Sequence, residues 1–452
     1  MPVNKSMFRA YDVRGIYGKD LTEDVMEAIG NAFASEFVND SVVIGTDGRI
    51  SGPALRKAFI KGVVKSGKNV IDVGVVPRGA CLFAAWKRKL PSAYITASHL
   101  PPEWNGVKFA SGSGTEFFED DNYMVRDIVL SGNTSKSQTK GTVRSEDAIN
   151  DYVKYIVSRV PKPEKPLKVV LDCGNGAAGL AAPEIFRSAG FEVRPIFREV
   201  DGNFPNRTSE ITDEALAKLK DEATRSNMGI AYDGDADRMS LVDDKGRFLG
   251  PEVASYIILN ELVKNHKGGI VANVECLKIM DEIAEKFRRE IFRIRVGNSF
   301  MVSEVGKRKA CFGVEKSGHF CIPSVMPMDD GIAASLYAAV ALSKSGKKLS
   351  EIVDELPHYP FRRQKVSCPD EKKFAVVDQL KKKLSDKYER MNTTDGVRID
   401  FDYGWVLIRA SNTEPIIRVS TEADNEGKLK KLEGIFIDAL KEEIKSFSAG
   451  SV

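Results

Sequence analysis

Histidine is scarce in this chain, with only His99, His266, His319 and His358 among 452 residues. That scarcity argues against a His-rich metal centre and leaves each ring's neighbourhood open to inspection. The six cysteines (Cys81, Cys173, Cys276, Cys311, Cys321, Cys368) are widely spread and include no C-x-x-C pair. A zinc site or a disulfide framework is therefore not what organises the fold. No apolar run reaches membrane-spanning length, and no low-complexity tract occurs. An excess of one charge is missing too: 67 Lys and Arg against 64 Asp and Glu leave a formal +3. Composition thus gives no global case for nucleic acid or an anionic membrane, and any anion binding must be local. Met1 to Tyr17 carries Lys5, Arg9, Asp12 and Arg14 and has no uninterrupted apolar core. It reads as neither signal peptide nor membrane anchor, and a cytoplasmic product is expected.

What is present is an ordinary globular composition, 42% hydrophobic and 29% charged, on a chain long enough for several lobes. Apolar runs ending in Gly/Asp turns alternate with stretches of helical periodicity, the layout of α/β units that bind ligands at strand C-terminal ends. Val42 to Arg49 is one such end, followed by a helix-like stretch from Gly52 to Lys65. Val169 to Gly176 is a second, leading into Ala177 to Ala189, and Gly229 to Arg238 is a third. This weak repeat suggests that similar lobes are used more than once. The Ser131 to Gly141 connection, the stiff Pro161 to Pro166 segment, Gly250-Pro251 and Leu356 to Pro360 punctuate the chain. They divide it into residues 1–140, 141–250, 251–357 and 358–452. The last unit reads as α+β, with a Lys-rich helix over Lys372 to Tyr388, strands at Gly404 to Arg409 and Ile416 to Ser420, and a helix over Lys428 to Lys445.

Within Asp233-Gly234-Asp235-Ala236-Asp237-Arg238, three carboxylates alternate directly after an apolar run. Kept extended, they share one side, where hard oxygen ligands can converge on a divalent cation such as Mg2+. A polar turn of solvated acids is the bland alternative. An EF-hand loop is a weak rival, since it needs Gly and Glu where this chain has Arg238 and Asp244 at the sixth and twelfth positions. Tyr94-Ile95-Thr96-Ala97-Ser98-His99 places Ser98 at the end of another apolar run, as a nucleophile or as a hydrogen-bonded turn. No G-x-S-x-G elbow supports acyl transfer. Phosphoryl transfer can use a Ser oxygen beside a metal and cations, because positioning and charge neutralisation do most of that catalysis. Arg409-Ala410-Ser411-Asn412-Thr413-Glu414-Pro415, with Arg418 beyond it, gathers the donors of a phosphate cradle. Gly313 to His319 offers Glu315 and Ser317 two residues apart, a spacing suited to sugar hydroxyls or to a plain charged loop.

These four stretches, in this order, resemble the α-D-phosphohexomutase family: Thr-Ala-Ser-His at 96–99 its phosphoserine loop, 233–238 its metal loop, 313–319 its sugar loop and 409–415 its phosphate loop. Tyr11-Asp12-Val13-Arg14-Gly15 is similar to the family's opening, and the likeness runs from about residue 8 to 420. The resemblance implies a heart-shaped enzyme of four domains, three related α/β lobes and a smaller C-terminal α+β lobe around a central cleft. It implies a mutase moving phosphate between O1 and O6 of a hexose through a phosphoserine at Ser98 and a bisphosphosugar intermediate. One Mg2+ would be held by Ser98, Asp233, Asp235 and Asp237; Arg14 and Arg238 would stabilise the transferring group, with Lys108 and His99 near for proton transfer. Glu315 and Ser317 would hold sugar hydroxyls, while Arg409, Ser411, Asn412, Thr413 and Arg418 would grip the other phosphate. Phosphorylated hexoses, most of all mannose and glucose phosphates, are the expected partners, on a monomer or homodimer. Glu414 resembles the phosphoglucosamine branch, the alternative substrate class; a non-catalytic sugar-phosphate binder is a second. The chain departs from the family at Leu100 (often Asn), at Asn298 after Val296-Gly297 (often His), and at Arg207-Thr208-Ser209-Glu210.

Overall fold

The computed structural model describes residues 3–133, 135–411 and 415–449. Each of four sheets anchors one lobe. The first runs Val13–Ile16, Trp104–Ala110, Ser92–Ile95, Ser41–Thr46, Asn69–Val75, Val143–Ser145 across the sheet, so the strand at 143–145 closes the first sheet beyond the 140/141 division. Its central strands are parallel, and the Trp104–Ala110 strand pairs antiparallel on both sides. The second orders Phe248–Leu249, Met239–Val242, Met228–Tyr232, Lys168–Asp172 and Glu192–Ile196; the third orders Ile291–Ile294, Ile270–Asn273, Phe312–Val314, Phe320–Ile322 and Met326–Asp329. The inner parallel strands Lys168–Asp172, Met228–Tyr232 and Ile270–Asn273 are buried almost throughout and rich in Val, Ile, Leu and Ala, as sheets covered on both faces require.

The fourth sheet is wholly antiparallel: Phe361–Ser367, Ile416–Ala423, Gly404–Ala410, Val397–Phe401, Met391–Asn392. Helices Lys373–Ser385 and Glu426–Ala449 cover it, close to the helical stretches read from the sequence. The stretch Ala177 to Ala189 splits into a 3₁₀ turn, Ala177–Leu180, and a short helix, Ala182–Ser188. Pro183 in the first turn of that helix suits a fresh start there. Among the described residues, no helix is long and apolar enough to cross a membrane.

The lobes are tied by specific buried bonds as well as by packing. One apolar cluster runs from the first lobe (Phe83, Tyr94) through the second (Leu171, Ile230) into the third (Phe312, Leu336). Tyr152 donates to Asp330 Oδ2 at 2.6 Å, and Tyr232 and Ser335 share a hydroxyl bond of 2.7 Å. The fourth lobe grips the segment 274–278 of the third. Arg398 Nη1 donates to the carbonyls of Val274 at 2.7 Å and Cys276 at 3.2 Å, and the backbone N–H of Lys278 donates to Glu422 Oε2 at 2.8 Å. Trp405 packs with Val274 and donates its indole N–H to the same Glu422 oxygen.

Candidate active site

The strand Met228–Tyr232 lies at the middle of the second sheet, and its C-terminal end delivers residues 233–238 into the junction of three lobes. The sequence suggested an extended run; the structure shows a turn instead. Ala236 N–H bonds back to the Asp233 carbonyl at 3.2 Å, and Ala236 takes a left-handed φ of 65°. Curling, not strand alternation, brings the carboxylates together. Asp233, Asp235 and Asp237 each offer an oxygen within 4.8 Å of the others, and all three are buried. Asp235 Oδ1 and Asp237 Oδ1 have no hydrogen-bond partner among the described residues. Three buried carboxylates with spare oxygens fit a hard divalent cation such as Mg2+.

Their electrostatics are uneven. Burial, reinforced by Asp237 and Asp235, pushes Asp233 well above the usual carboxylate range. Asp237 is equally buried, yet Lys108, His319, Arg78 and Arg238 together hold it well below that range. Lys108 Nζ is 2.9 Å from Asp237 Oδ2, and Arg78 Nη1 is 3.3 Å from the same oxygen.

Ser98 sits against this turn and is fully buried. Its Oγ donates to Asp233 Oδ2 at 2.8 Å and lies 3.3 Å from His99 Nδ1. A Cβ on Gly234 would come within 2.6 Å of the Ser98 carbonyl oxygen, so glycine is what lets the two loops meet. The guanidinium of Arg238, burial, Arg14 and Lys108 hold the His99 ring far below its ordinary pKa, so it is neutral. Cations from two lobes thus converge beside Ser98, although Arg14 also pairs with Asp12 at 2.6 Å.

From the third lobe, His319 completes the junction. Arg238 Nε donates to His319 Nε2 at 2.9 Å, which places the imidazole proton on Nδ1, and Nδ1 faces Asp329 Oδ2 at 2.8 Å. Asn298 donates from Nδ2 to that same Asp329 oxygen at 3.1 Å, so it serves as a fixed donor where the family often has His. Arg78 lies 3.0 Å from Asp329 Oδ1 and also pairs with Glu116. Arg78, Asp329 and Asn298 were not expected as site residues, and His319 entered only as part of the sugar-loop stretch.

Glu315 is buried, its Oε1 accepting from Gly297 N–H at 2.7 Å and Asn273 Nδ2 at 3.0 Å; Ser317 stands exposed at the loop tip. Arg409 Nη2 is 3.3 Å from Glu275 Oε1 of the third lobe, and Ser411 is buried beyond the strand end. Asn412 and Thr413 lie outside the described residues. Arg418 lines a cavity of about 590 Å³ whose other walls include His99 and Arg9 of the first lobe, Ser209 of the second and Lys365 of the fourth. Lys365 is the register partner of Arg418 in the fourth sheet. Of the predicted residues, Ser98, His99, Lys108, Arg238 and the three aspartates meet at the junction, and Arg418 faces His99 across the cavity.

Comparison with known proteins bears on the same four units. Residues 5–136, 150–246 and 251–359 match phosphoglucomutase/phosphomannomutase alpha/beta/alpha domains I, II and III, and 364–439 match the C-terminal domain of that group. The chain belongs to the phosphoglucomutase/phosphomannomutase family. A Methanopyrus kandleri member, named a probable phosphoglucosamine mutase, is 33% identical over 442 residues, covering 96% of this chain and 97% of its own. A Thermococcus kodakarensis phosphoglucomutase/phosphomannomutase is 33% identical over 455 residues, covering 97% and 99%. The crystal structure of a family protein from Burkholderia thailandensis superposes with a TM-score of 0.90 at 28% identity, covering 98% of each chain. The four-lobed family architecture expected from the sequence is the one found.

Proposed function

We propose that this chain is a Mg2+-dependent phosphohexomutase that interconverts hexose 1-phosphates and 6-phosphates, with mannose and glucose phosphates as its main substrates. The observation that carries this reading is Ser98 Oγ, buried and 2.8 Å from Asp233 within the three-aspartate cluster, with Arg238, Arg14 and Lys108 gathered on its neighbour His99. In this scheme Asp233, Asp235, Asp237 and the Ser98 oxygen would hold Mg2+, which when bound supplies Lewis-acid neutralisation of phosphoryl charge.

Ser98, once phosphorylated, gives its phosphoryl group to the free hydroxyl of a hexose monophosphate. The Ser98 O–P bond breaks, the sugar O–P bond forms, and the hydroxyl proton passes to a nearby base. His99, 3.3 Å from Ser98 Oγ, stands beside this transfer, and because the surrounding cations oppose its protonation it relays the proton rather than keeping it. Arg238, Arg14 and Lys108 offset the charge on the moving group. Glu315 and Ser317 take the sugar hydroxyls; Arg409, Ser411, Arg418 and the loop residues Asn412 and Thr413 take the phosphate that is not reacting. The bisphosphosugar then turns over and returns its other phosphate to Ser98, which requires the fourth lobe to release and re-close on segment 274–278.

Intact mass of the purified protein and coupled assays with mannose, glucose and glucosamine 1-phosphates test the reading. A phosphate on Ser98 and no turnover in Ser98→Ala are expected; normal turnover in that variant refutes the mechanism, and binding with no turnover of any substrate leaves a sugar-phosphate binder. A glucosamine preference is the second reading, favoured by Glu414 and by the name of the Methanopyrus kandleri relative. It would stand if glucosamine 1-phosphate alone is turned over.

A further inference from the structure

One buried guanidinium has no part in the scheme above. Arg49 follows the strand Ser41–Thr46, is 1% exposed, and lies directly behind the Ser98 loop. Its Nη2 donates to the carbonyls of Ser98 at 2.8 Å and Leu100 at 2.6 Å. Its Nη1 donates to the carbonyls of Pro101 at 2.6 Å and Trp104 at 2.9 Å, and its Nε to Asp47 Oδ2 at 3.2 Å. All five N–H bonds of the fork are engaged, four of them on the backbone of a single loop. Such a hold grips the backbone at position 100 and does not depend on the side chain that Leu100 carries there.

The loop is held from its N–H side as well. Asp47 Oδ2 also accepts from Thr96 Oγ1 at 2.7 Å, and Thr96 Oγ1 in turn accepts from Ser98 N–H at 2.7 Å and lies 3.0 Å from Asp235 Oδ2. Thr96 has one hydroxyl proton, so it serves one of the two carboxylates at a time. What these bonds restrain is unusual: Ser98 has a φ of 51°, a left-handed conformation that a non-glycine residue keeps only when its surroundings impose it. In that conformation its Oγ meets Asp233.

We infer that Arg49 is a positioning residue for group transfer at Ser98. It fixes the left-handed Ser98 backbone from behind, touches neither substrate nor metal, and through Asp47 and Thr96 ties the loop to Asp235. The inference rests on the phosphotransfer reading of Ser98. Lysine, with a compact ammonium and no planar fork, cannot span the four carbonyls.

The test compares wild type with Arg49→Lys, Arg49→Ala and Thr96→Val. Its readouts are kcat and KM for hexose 1-phosphate, hydrogen exchange of residues 96–104, and add-back of millimolar guanidinium. Arg49→Lys should lose kcat by about 100-fold, the scale of a small misplacement of a reacting atom. KM should stay within about threefold, because binding of the non-reacting phosphate is untouched. Exchange should quicken in residues 96–104 and not in the Glu426–Ala449 helix, and guanidinium should restore part of kcat to Arg49→Ala. The inference is overturned if folded Arg49→Lys keeps kcat within about threefold of wild type, or if exchange rises uniformly through the first lobe with no response to guanidinium. Should Arg49→Ala fail to fold, the kcat-against-KM split in Arg49→Lys and Thr96→Val decides in the same way. Wild-type turnover that needs Ser98, together with an indifferent Arg49→Lys, refutes this inference alone; turnover independent of Ser98 refutes the reading beneath it.

Discussion

Glu422 makes the contact between the third and fourth lobes sensitive to pH. Its carboxylate is shut away from solvent, with Oε2 accepting from Lys278 N–H and the Trp405 indole and Oε1 without a partner among the described residues. Burial pushes it from its ordinary 4.5 up to about 7; Glu252 adds to the rise, while the two donors and Arg398 oppose it. Because the folded pKa is raised, the folded state binds the proton more tightly between those values. The stability this gives is complete below about pH 4.5 and lost as pH rises through about 7. Applied to those two pKa values, proton linkage gives a loss of about 2.5 kcal/mol between pH 5 and 8. Glu422→Gln removes the titration while keeping an amide oxygen for both donors. The assay is native-state hydrogen exchange at the Lys278 amide in both proteins, corrected for intrinsic rate. The opening free energy of wild type should fall by about 2.5 kcal/mol relative to the variant over this range. Parallel profiles would refute the reasoning.

Gly234→Ala puts a Cβ 2.6 Å from the Ser98 carbonyl and so forces the metal and serine loops apart. Turnover should drop about 100-fold while the far-UV circular dichroism spectrum is kept. Asp237→Asn withdraws one carboxylate charge from the cluster, and Mg2+ affinity by calorimetry should weaken by more than about tenfold, the lower bound for loss of a mere supporting group. Chelation of Mg2+ from wild type should stop turnover, and its return should restore it. Arg207→Met leaves Asp172, 2.9 Å from Arg207 Nε, as an unpaired buried carboxylate. Urea unfolding of the second lobe should show a loss of about 3–5 kcal/mol.

What the sequence made legible was local. The strand-then-turn ends at 42–49, 169–176 and 229–238 announce themselves by apolar runs and Gly/Asp punctuation, and the structure places a strand before each turn. The acidic cluster was legible as a set of ligands, but not its shape, because the left-handed turn at Ala236 is imposed by packing against the Ser98 loop and the third lobe. Arg78 carries no signal in its own neighbourhood; its partner Asp329 is 251 residues away along the chain. Arg49 was likewise silent, since backbone carbonyls of a distant loop leave no mark in the sequence. The segment Arg207 to Glu210 looked like a departure with no evident purpose. Within the second lobe Arg207 is buried on Asp172, and between lobes Ser209 Oγ donates to the Leu100 carbonyl at 2.9 Å while lining the cavity.

The near balance of charge over the whole chain conceals two opposed poles placed side by side. At one pole, burial and then the neighbouring carboxylates push Asp233 well above the usual carboxylate range; at the other, Arg238, burial, Arg14 and Lys108 hold the His99 ring far below its ordinary value. Neither pole is tolerable alone, since buried like charges without partners are costly. Together each relieves the other, and the relief crosses lobe boundaries: Lys108 of the first lobe and His319 of the third both act on Asp237 of the second. An acidic pole suits a divalent cation and a basic pole suits a phosphate, so their junction suits a phosphoryl group passing between a serine and a sugar. No single lobe carries both poles in full. That is the physical reason each motif, read alone, fitted a bland turn as well as a site, and why their order along one chain was the informative feature.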